Sequence, residues 1–296
     1  MNQRTIAKRV ELTGIGLHRG KPVKMILEPL ESDSGIVFYR RDVGVTIPLM
    51  PQNVVNTTMA TVIGKDGYSI STIEHLMSAV FSFGIDNLRI SVDADEIPIM
   101  DGSSISFCML LEEAGIKELN KGKKFIRIKK VVEETDGKKF VKLMPSKDIE
   151  FEFEIDFDHP IIGNQRYSFN FSKKRYISEI AKARTFGFLH EVQYLRSKGL
   201  ALGGSLDNAI VLDDKKILNS EGLRFENEFV RHKILDAIGD MSLFGGWFIG
   251  KYQSFAGSHK LNHELTKKLF ANEENFEILE SAVQNKEVVS VERVFA

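Results

Sequence analysis

His232, Asp236 and Asp240 recur every four residues in Arg231-His232-Lys233-Ile234-Leu235-Asp236-Ala237-Ile238-Gly239-Asp240, and this spacing constrains the fold more than any other feature of the chain. On an α-helix, residues four apart share one face. His232 and Asp236 then stack and Asp240 continues the stripe, while Ile234, Leu235, Ile238 and Met241 fall on other faces and can pack inward. A neutral imidazole and a carboxylate arranged this way can bind one zinc ion. A catalytic zinc takes a third protein ligand and keeps its fourth position open for water. Ser71-Thr72-Ile73-Glu74-His75-Leu76-Met77 offers that ligand in His75, with Glu74 beside it placed to accept a proton from water activated by the metal. Taken alone, His-x-x-x-Asp is more often a hydrogen-bonded surface pair than a metal site, so these residues leave both readings open.

The chain has 296 residues, enough for two ordinary domains each with its own core. Hydrophobic residues make up 43% and charged residues 27%, as in a soluble globular protein. The net charge of −1 gives nothing that attracts nucleic acid. Met1 to Arg9 lacks the apolar core of a signal peptide. The run from Met241 to Gly250 is broken by glycines and too short for a membrane span. A single cysteine, Cys108, excludes an internal disulfide and a cysteine-rich metal site, and within Ser106-Phe107-Cys108-Met109-Leu110-Leu111 it reads as a small core residue. A cytoplasmic location fits these features.

Strands are expected at Val23 to Glu28, Gly35 to Tyr39, Ala60 to Ile63 and Asn87 to Val92, with helices at Thr72 to Phe83 and Ser104 to Ala114. The polar segment Glu118 to Lys124 reads as a domain boundary. Beyond it, strands are expected at Lys124 to Glu133, Lys138 to Leu143, Glu150 to Phe157 and Trp247 to Ser254. The alternation of Phe151, Phe153, Ile155 and Phe157 gives one of these a single apolar face. Helices are expected at Ser178 to Ala183, Glu226 to Leu243 and His263 to Phe270. The result is an α+β chain of two similar domains, residues 1–122 and 123–296. The first contributes Glu74 and His75, the second His232, Asp236 and His259.

Longer segments are more specific. Thr13-Gly14-Ile15-Gly16-Leu17-His18, Ser71 through Ala79 and Met100-Asp101-Gly102-Ser103-Ser104 lie in the first half. Asp156-Phe157-Asp158-His159-Pro160, Ala183-Arg184-Thr185-Phe186-Gly187-Phe188, Leu202-Gly203-Gly204-Ser205, Gly222 through Asp240 and Gly257-Ser258-His259-Lys260-Leu261-Asn262 lie in the second. In this order and spacing they closely resemble the UDP-3-O-acyl-N-acetylglucosamine deacetylases, the zinc amidases of lipid A synthesis in Gram-negative bacteria. The resemblance covers nearly the whole chain; the stretch from about Asn272 onward carries no motif.

The resemblance implies two domains, each a β-sheet carrying helices, with the helical layers packed face to face in a β-α-α-β sandwich and the site between them. It implies zinc held by His75, His232 and Asp236, with Glu74 as general base. It makes His259 a catalytic histidine kept cationic by Asp240, although Ser258-His259-Lys260 alone would suit a surface loop. Thr185 becomes the partner of the oxyanion and Lys233 a substrate contact, where the residues alone suit a helix end and a solvated lysine. Phe157, Asp156 and Lys139 match positions around the uridine and diphosphate, and His18 a histidine at the site mouth. Ala256 stands where relatives carry a basic residue near the phosphates, and Lys260 is available in its place. The glycine-bearing segment from Leu195 to Asp213, with Ala201 and Gly203 as wall residues, matches an insert that lines an acyl passage.

The implied reaction is hydrolysis of the N-acetyl group of UDP-3-O-(3-hydroxyacyl)-N-acetylglucosamine, giving acetate and a free amine. The implied partner is that small-molecule substrate, with no nucleic acid and no stable membrane span. Two other readings are a zinc amidase acting on another acylated sugar and a non-catalytic sugar-nucleotide or acyl-chain binding protein. Intact Glu74, His75, His232, Asp236 and His259 argue against the second, because binding alone does not need that set. Iron also suits such a donor set.

Overall fold

Alternating apolar residues build the two larger sheets. The structure, a computed structural model, describes residues 1–281, so the last part of the expected second domain, residues 282–296, lies outside the described residues. In the first half a five-stranded sheet runs in the order Val10–Ile15, Pro22–Pro29, Leu88–Val92, Ile36–Arg40, Val45–Pro48. Its pairings are antiparallel except that between Ile36–Arg40 and Leu88–Val92. In the second half a seven-stranded sheet is organised on Trp247–Phe255, which pairs in parallel with Ile149–Asp156 and Lys124–Ile128 and antiparallel with Lys139–Met144. Phe151, Phe153 and Ile155 are buried as the alternation requires, but Phe157 lies just beyond the strand.

Six helices are described: α1 (Glu74–Ser82), α2 (Ile105–Ala114), α3 (Lys173–Arg175), α4 (Leu189–Ser197), α5 (Glu228–Met241) and α6 (His259–Phe270). Every residue of α1 is buried. α1 packs on α5 at a point where Gly239 lets the backbones meet; a Cβ there would lie 2.1 Å from the carbonyl oxygen of Glu74. This contact joins a helix of the first half to one of the second, within a single core of buried residues.

Several elements differ from expectation, each through contacts that local pattern does not encode. The polar segment near residue 118 is a strand, Ile116–Gly122, paired antiparallel with Asn2–Ile6. The run expected as one strand from Lys124 divides into Lys124–Ile128 and Val132–Asp136, because the first pairs with Phe276–Glu280 and the second forms a hairpin with Lys139–Met144. The helix expected at Ser178 starts earlier, as α3, and widens into a π-helical turn at Tyr176–Ile180. The strand expected at Ala60 begins at Val62, leaving Ala60 and Thr61 free of it. The last helix begins at His259 rather than His263, because the hydroxyl of Ser258 caps it by accepting from the backbone N–H of Leu261.

Candidate active site

α1 and α5 present the central groups. Nε2 of His75 lies 3.5 Å from Oδ1 of Asp236, and Nε2 of His232 lies 3.3 Å from the same oxygen. The two rings meet edge to face with centroids 4.9 Å apart. One donor atom from each of His75, His232 and Asp236 falls within 4.8 Å of the others, and all three residues are buried. Oδ1 of Asp236 has no hydrogen-bond partner among the described residues. A buried carboxylate oxygen in that condition, faced by two imidazole nitrogens, is costly unless a cation completes it. Two nitrogens and one carboxylate oxygen also match the donor set of a zinc centre with an open position, so the residues present fit the ion.

Surrounding contacts set the state of the three converging donors. Nδ1 of His232 lies 3.0 Å from the carbonyl oxygen of Ala183, which fixes the proton on Nδ1 and leaves Nε2 as the donor. Burial pushes the His232 imidazolium down to about 3, so the ring is neutral. Burial opposes the charge on Asp236, yet its carboxyl is held well below the usual range, with the positive charge of Lys233 favouring the carboxylate. The Lys233 ammonium donates to Oδ2 of Asp236 at 3.1 Å, so this lysine is turned into the site rather than solvated.

Glu74 stays outside the triad. Its Oε2 accepts from the backbone N–H of Thr61 at 3.1 Å, and its Oε1 lies 3.8 Å from Nε2 of His259. Burial raises its pKa against the opposing influence of His259 and His75, which makes the carboxylate a better base. Nδ1 of His259 meets Oδ2 of Asp240 at 2.8 Å. Burial works against a charged His259, but Asp240 and then Glu74 outweigh it and hold its pKa up at about 10. Asp240 is not among the three converging donors; besides His259 it accepts from the hydroxyl of Thr61 at 2.5 Å and from the amide of Asn262 at 2.8 Å.

Thr61 and Asn262 are the groups that sequence reasoning missed. Thr61 binds Glu74 through its backbone and Asp240 through its side chain, and no motif marks it. Asn262 follows His259 by three residues on α6, a spacing that becomes informative only once the helix is known to start at His259.

The site opens into a cavity of about 430 Å³. Glu74, His75, Thr185, His232, Lys233, Asp236, His259 and His18 reach its wall, and Leu189, Val192, Leu195, Ala201, Leu206 and Val211 give it an apolar side. The expected insert thus contributes, joined by α4 residues ahead of Leu195. Gly203 does not line the cavity; it lies against the turn at Gly16, where a Cβ would come within 2.2 Å of the Gly16 carbonyl oxygen. Thr185 is not at a helix end but leads into the strand Phe186–Phe188.

Phe157, Asp156 and Lys139 are not brought into the wall of this cavity. The Phe157 ring lies 5.8 Å from Phe186 and 6.0 Å from Phe188, while Asp156 and Lys139 are exposed at strand ends. Ala256 adopts a positive φ of 48° and donates its N–H to the carbonyl of Glu154.

A family model for UDP-3-O-acyl N-acetylglycosamine deacetylase matches residues 3–271. A UDP-3-O-acyl-N-acetylglucosamine deacetylase of Nautilia profundicola is 68% identical over 98% of this chain and 99% of its own length. Proteins of the same description from Sulfurimonas denitrificans and Wolinella succinogenes are 66% and 63% identical, covering 95% and 100% of this chain and 95% and 99% of their own lengths.

Proposed function

The chain belongs to the UDP-3-O-acyl N-acetylglycosamine deacetylase family, and we propose that its own site performs that reaction through zinc held by His75, His232 and Asp236. The enzyme is a deacetylase of lipid A synthesis. It hydrolyses the N-acetyl amide of UDP-3-O-(3-hydroxyacyl)-N-acetylglucosamine, releasing acetate and leaving the free amine. One observation carries the assignment of roles: three buried donors converge while Glu74 and His259, 3.8 Å apart, stand beside them and outside the donor set.

Zinc, when bound, supplies a Lewis acid that makes water reactive toward an amide near neutral pH. Glu74, oriented by the N–H of Thr61, takes the proton of the attacking water. His259, charged through Asp240, places positive charge where the oxyanion builds up and carries the proton that the leaving amine requires. Thr185 and Lys233 line the same space and add a hydroxyl and an ammonium toward the substrate carbonyl. The apolar side of the cavity takes the acyl chain. His18 stands at the mouth, and Phe157, Asp156 and Lys139 contact the nucleotide from outside the cavity.

We read the architecture as two domains, 1–122 and 123–296, in a β-α-α-β sandwich; the α1–α5 contact across the halves supports this. No helix among the described residues is long and apolar enough to cross a membrane. A cytoplasmic location fits the single, buried, free Cys108. Incubation of metal-replete protein with the UDP-acylglucosamine and assay of free acetate tests the function. Acetate release that survives complete metal removal rejects the zinc reading.

A further inference from the structure

The stripe that carries the metal ligands begins one turn earlier than the ligands do. Glu228, His232, Asp236 and Asp240 share one face of α5, and Glu228 is fully buried although it binds nothing in the cavity. Its partner is Arg184, itself only 2% exposed. Oε1 of Glu228 accepts from the backbone N–H of Arg184 at 3.0 Å and from its Nε at 2.9 Å. Oε2 accepts from Nη2 at 3.3 Å and from the backbone N–H of Arg224 at 2.5 Å. The other guanidinium contacts go to Glu221 and the carbonyl of Gly222.

The neighbours of Arg184 in the chain are functional on both sides. The carbonyl of Ala183 is the group that fixes the tautomer of His232. Thr185 donates its N–H to the carbonyl of Gly102 and reaches the cavity wall. A planar, bidentate fork fixes direction as well as distance, which a lysine cannot do. We propose that Arg184 and Glu228 are positioning residues for the metal site: their buried fork holds the 183–185 strap along α5, so that one anchor sets both the donor nitrogen of His232 and the location of Thr185. A bare structural ion pair would need no such placement. This inference rests on the zinc site proposed above.

The test compares Arg184→Lys and Glu228→Gln with the wild type and with Lys123→Met, which breaks another buried ion pair, Lys123–Asp86, away from the cavity. Affinity for Zn²⁺ is measured by chelator competition at a temperature where circular dichroism shows each protein folded, and the visible spectrum is recorded with Co²⁺. Arg184→Lys and Glu228→Gln should bind Zn²⁺ about 10- to 100-fold more weakly, the usual cost of losing a group that orients a ligand, and should displace the Co²⁺ bands. Lys123→Met should lose thermal stability yet keep both properties. Either strap variant suffices if the other does not fold. Wild-type Zn²⁺ affinity and an unchanged Co²⁺ spectrum in the strap variants, even with a lowered Tm, overturn the inference. A wild type that binds no Zn²⁺ removes the metal site itself, and the inference with it.

Discussion

Oδ2 of Asp240 lies 2.8 Å from Nδ1 of His259, and this contact keeps a buried imidazole charged. The folded-state pKa is raised from 6.5 to about 10, so the stability it contributes is complete below 6.5 and is lost as pH rises through about 10. A divalent cation nearby lowers that value. The alkaline limb of turnover should therefore lie below about 10, while ionisation of Glu74 gives the acid limb. Asp240→Asn should move the alkaline limb toward lower pH. A kcat profile whose alkaline limb stays in place in Asp240→Asn would remove His259 from the acid role.

Glu74→Ala should retain zinc and lose turnover on the order of a hundredfold or more, because it removes proton transfer and not a ligand. His232→Ala and Asp236→Ala should lose or weaken the metal. Metal analysis of the three purified proteins decides the matter: an ion missing from Glu74→Ala makes Glu74 a ligand.

Thr61→Val keeps the side chain's shape and the backbone N–H to Glu74 but leaves Oδ1 of Asp240 without its hydroxyl donor. A buried acceptor deprived of its partner costs about 1–3 kcal/mol. Chemical denaturation should show that loss, with metal content unchanged; wild-type stability would mean that the Thr61 hydroxyl contact contributes nothing.

Gly239→Ala opposes two effects. Alanine favours a helix over glycine by about 1 kcal/mol. Its Cβ would lie 2.1 Å from the carbonyl oxygen of Glu74, and overpacking typically costs about 1–3 kcal/mol or more. The clash should win, lowering both Tm and turnover because the backbone displaced is that of Glu74, the proposed base. A stabilised, fully active variant would show that α1 and α5 can separate freely.

The 3-O-acyl chain should dominate substrate affinity, since each buried CH₂ is worth roughly 0.8 kcal/mol. UDP-N-acetylglucosamine should be a very poor substrate, and Val211→Phe, which narrows the apolar side of the cavity, should harm long chains more than short ones. Equal turnover of acylated and unacylated nucleotides would separate the cavity from chain binding.

Where an element carries its own periodicity, the sequence located it well. The expected helices around His75 and His232 match α1 and α5 closely, because their residues repeat on a helical face. Ile116–Gly122 was illegible as a strand because its partner is the chain's first strand, and a polar sequence gives no hint of so remote a pairing. The helix α4 was overlooked: its apolar residues Leu189, Val192 and Leu195 face the open cavity rather than the core, and none of its residues is fully buried. In the site, side chains with distinctive chemistry were visible. Backbone groups were not, since the N–H of Thr61 and the carbonyl of Ala183 act through position alone.

His75 leaves the ribosome long before His232 and Asp236, and the three donors meet only when α1 docks on α5. Until then α5 by itself offers only two of the three donors, His232 and Asp236. On the proposed zinc site, complete loading follows synthesis of both halves, and an ion once bound would tie together stretches far apart in sequence. Metal depletion should then act on existing molecules as a loosening of the junction between halves, and on new molecules as a failure to complete it.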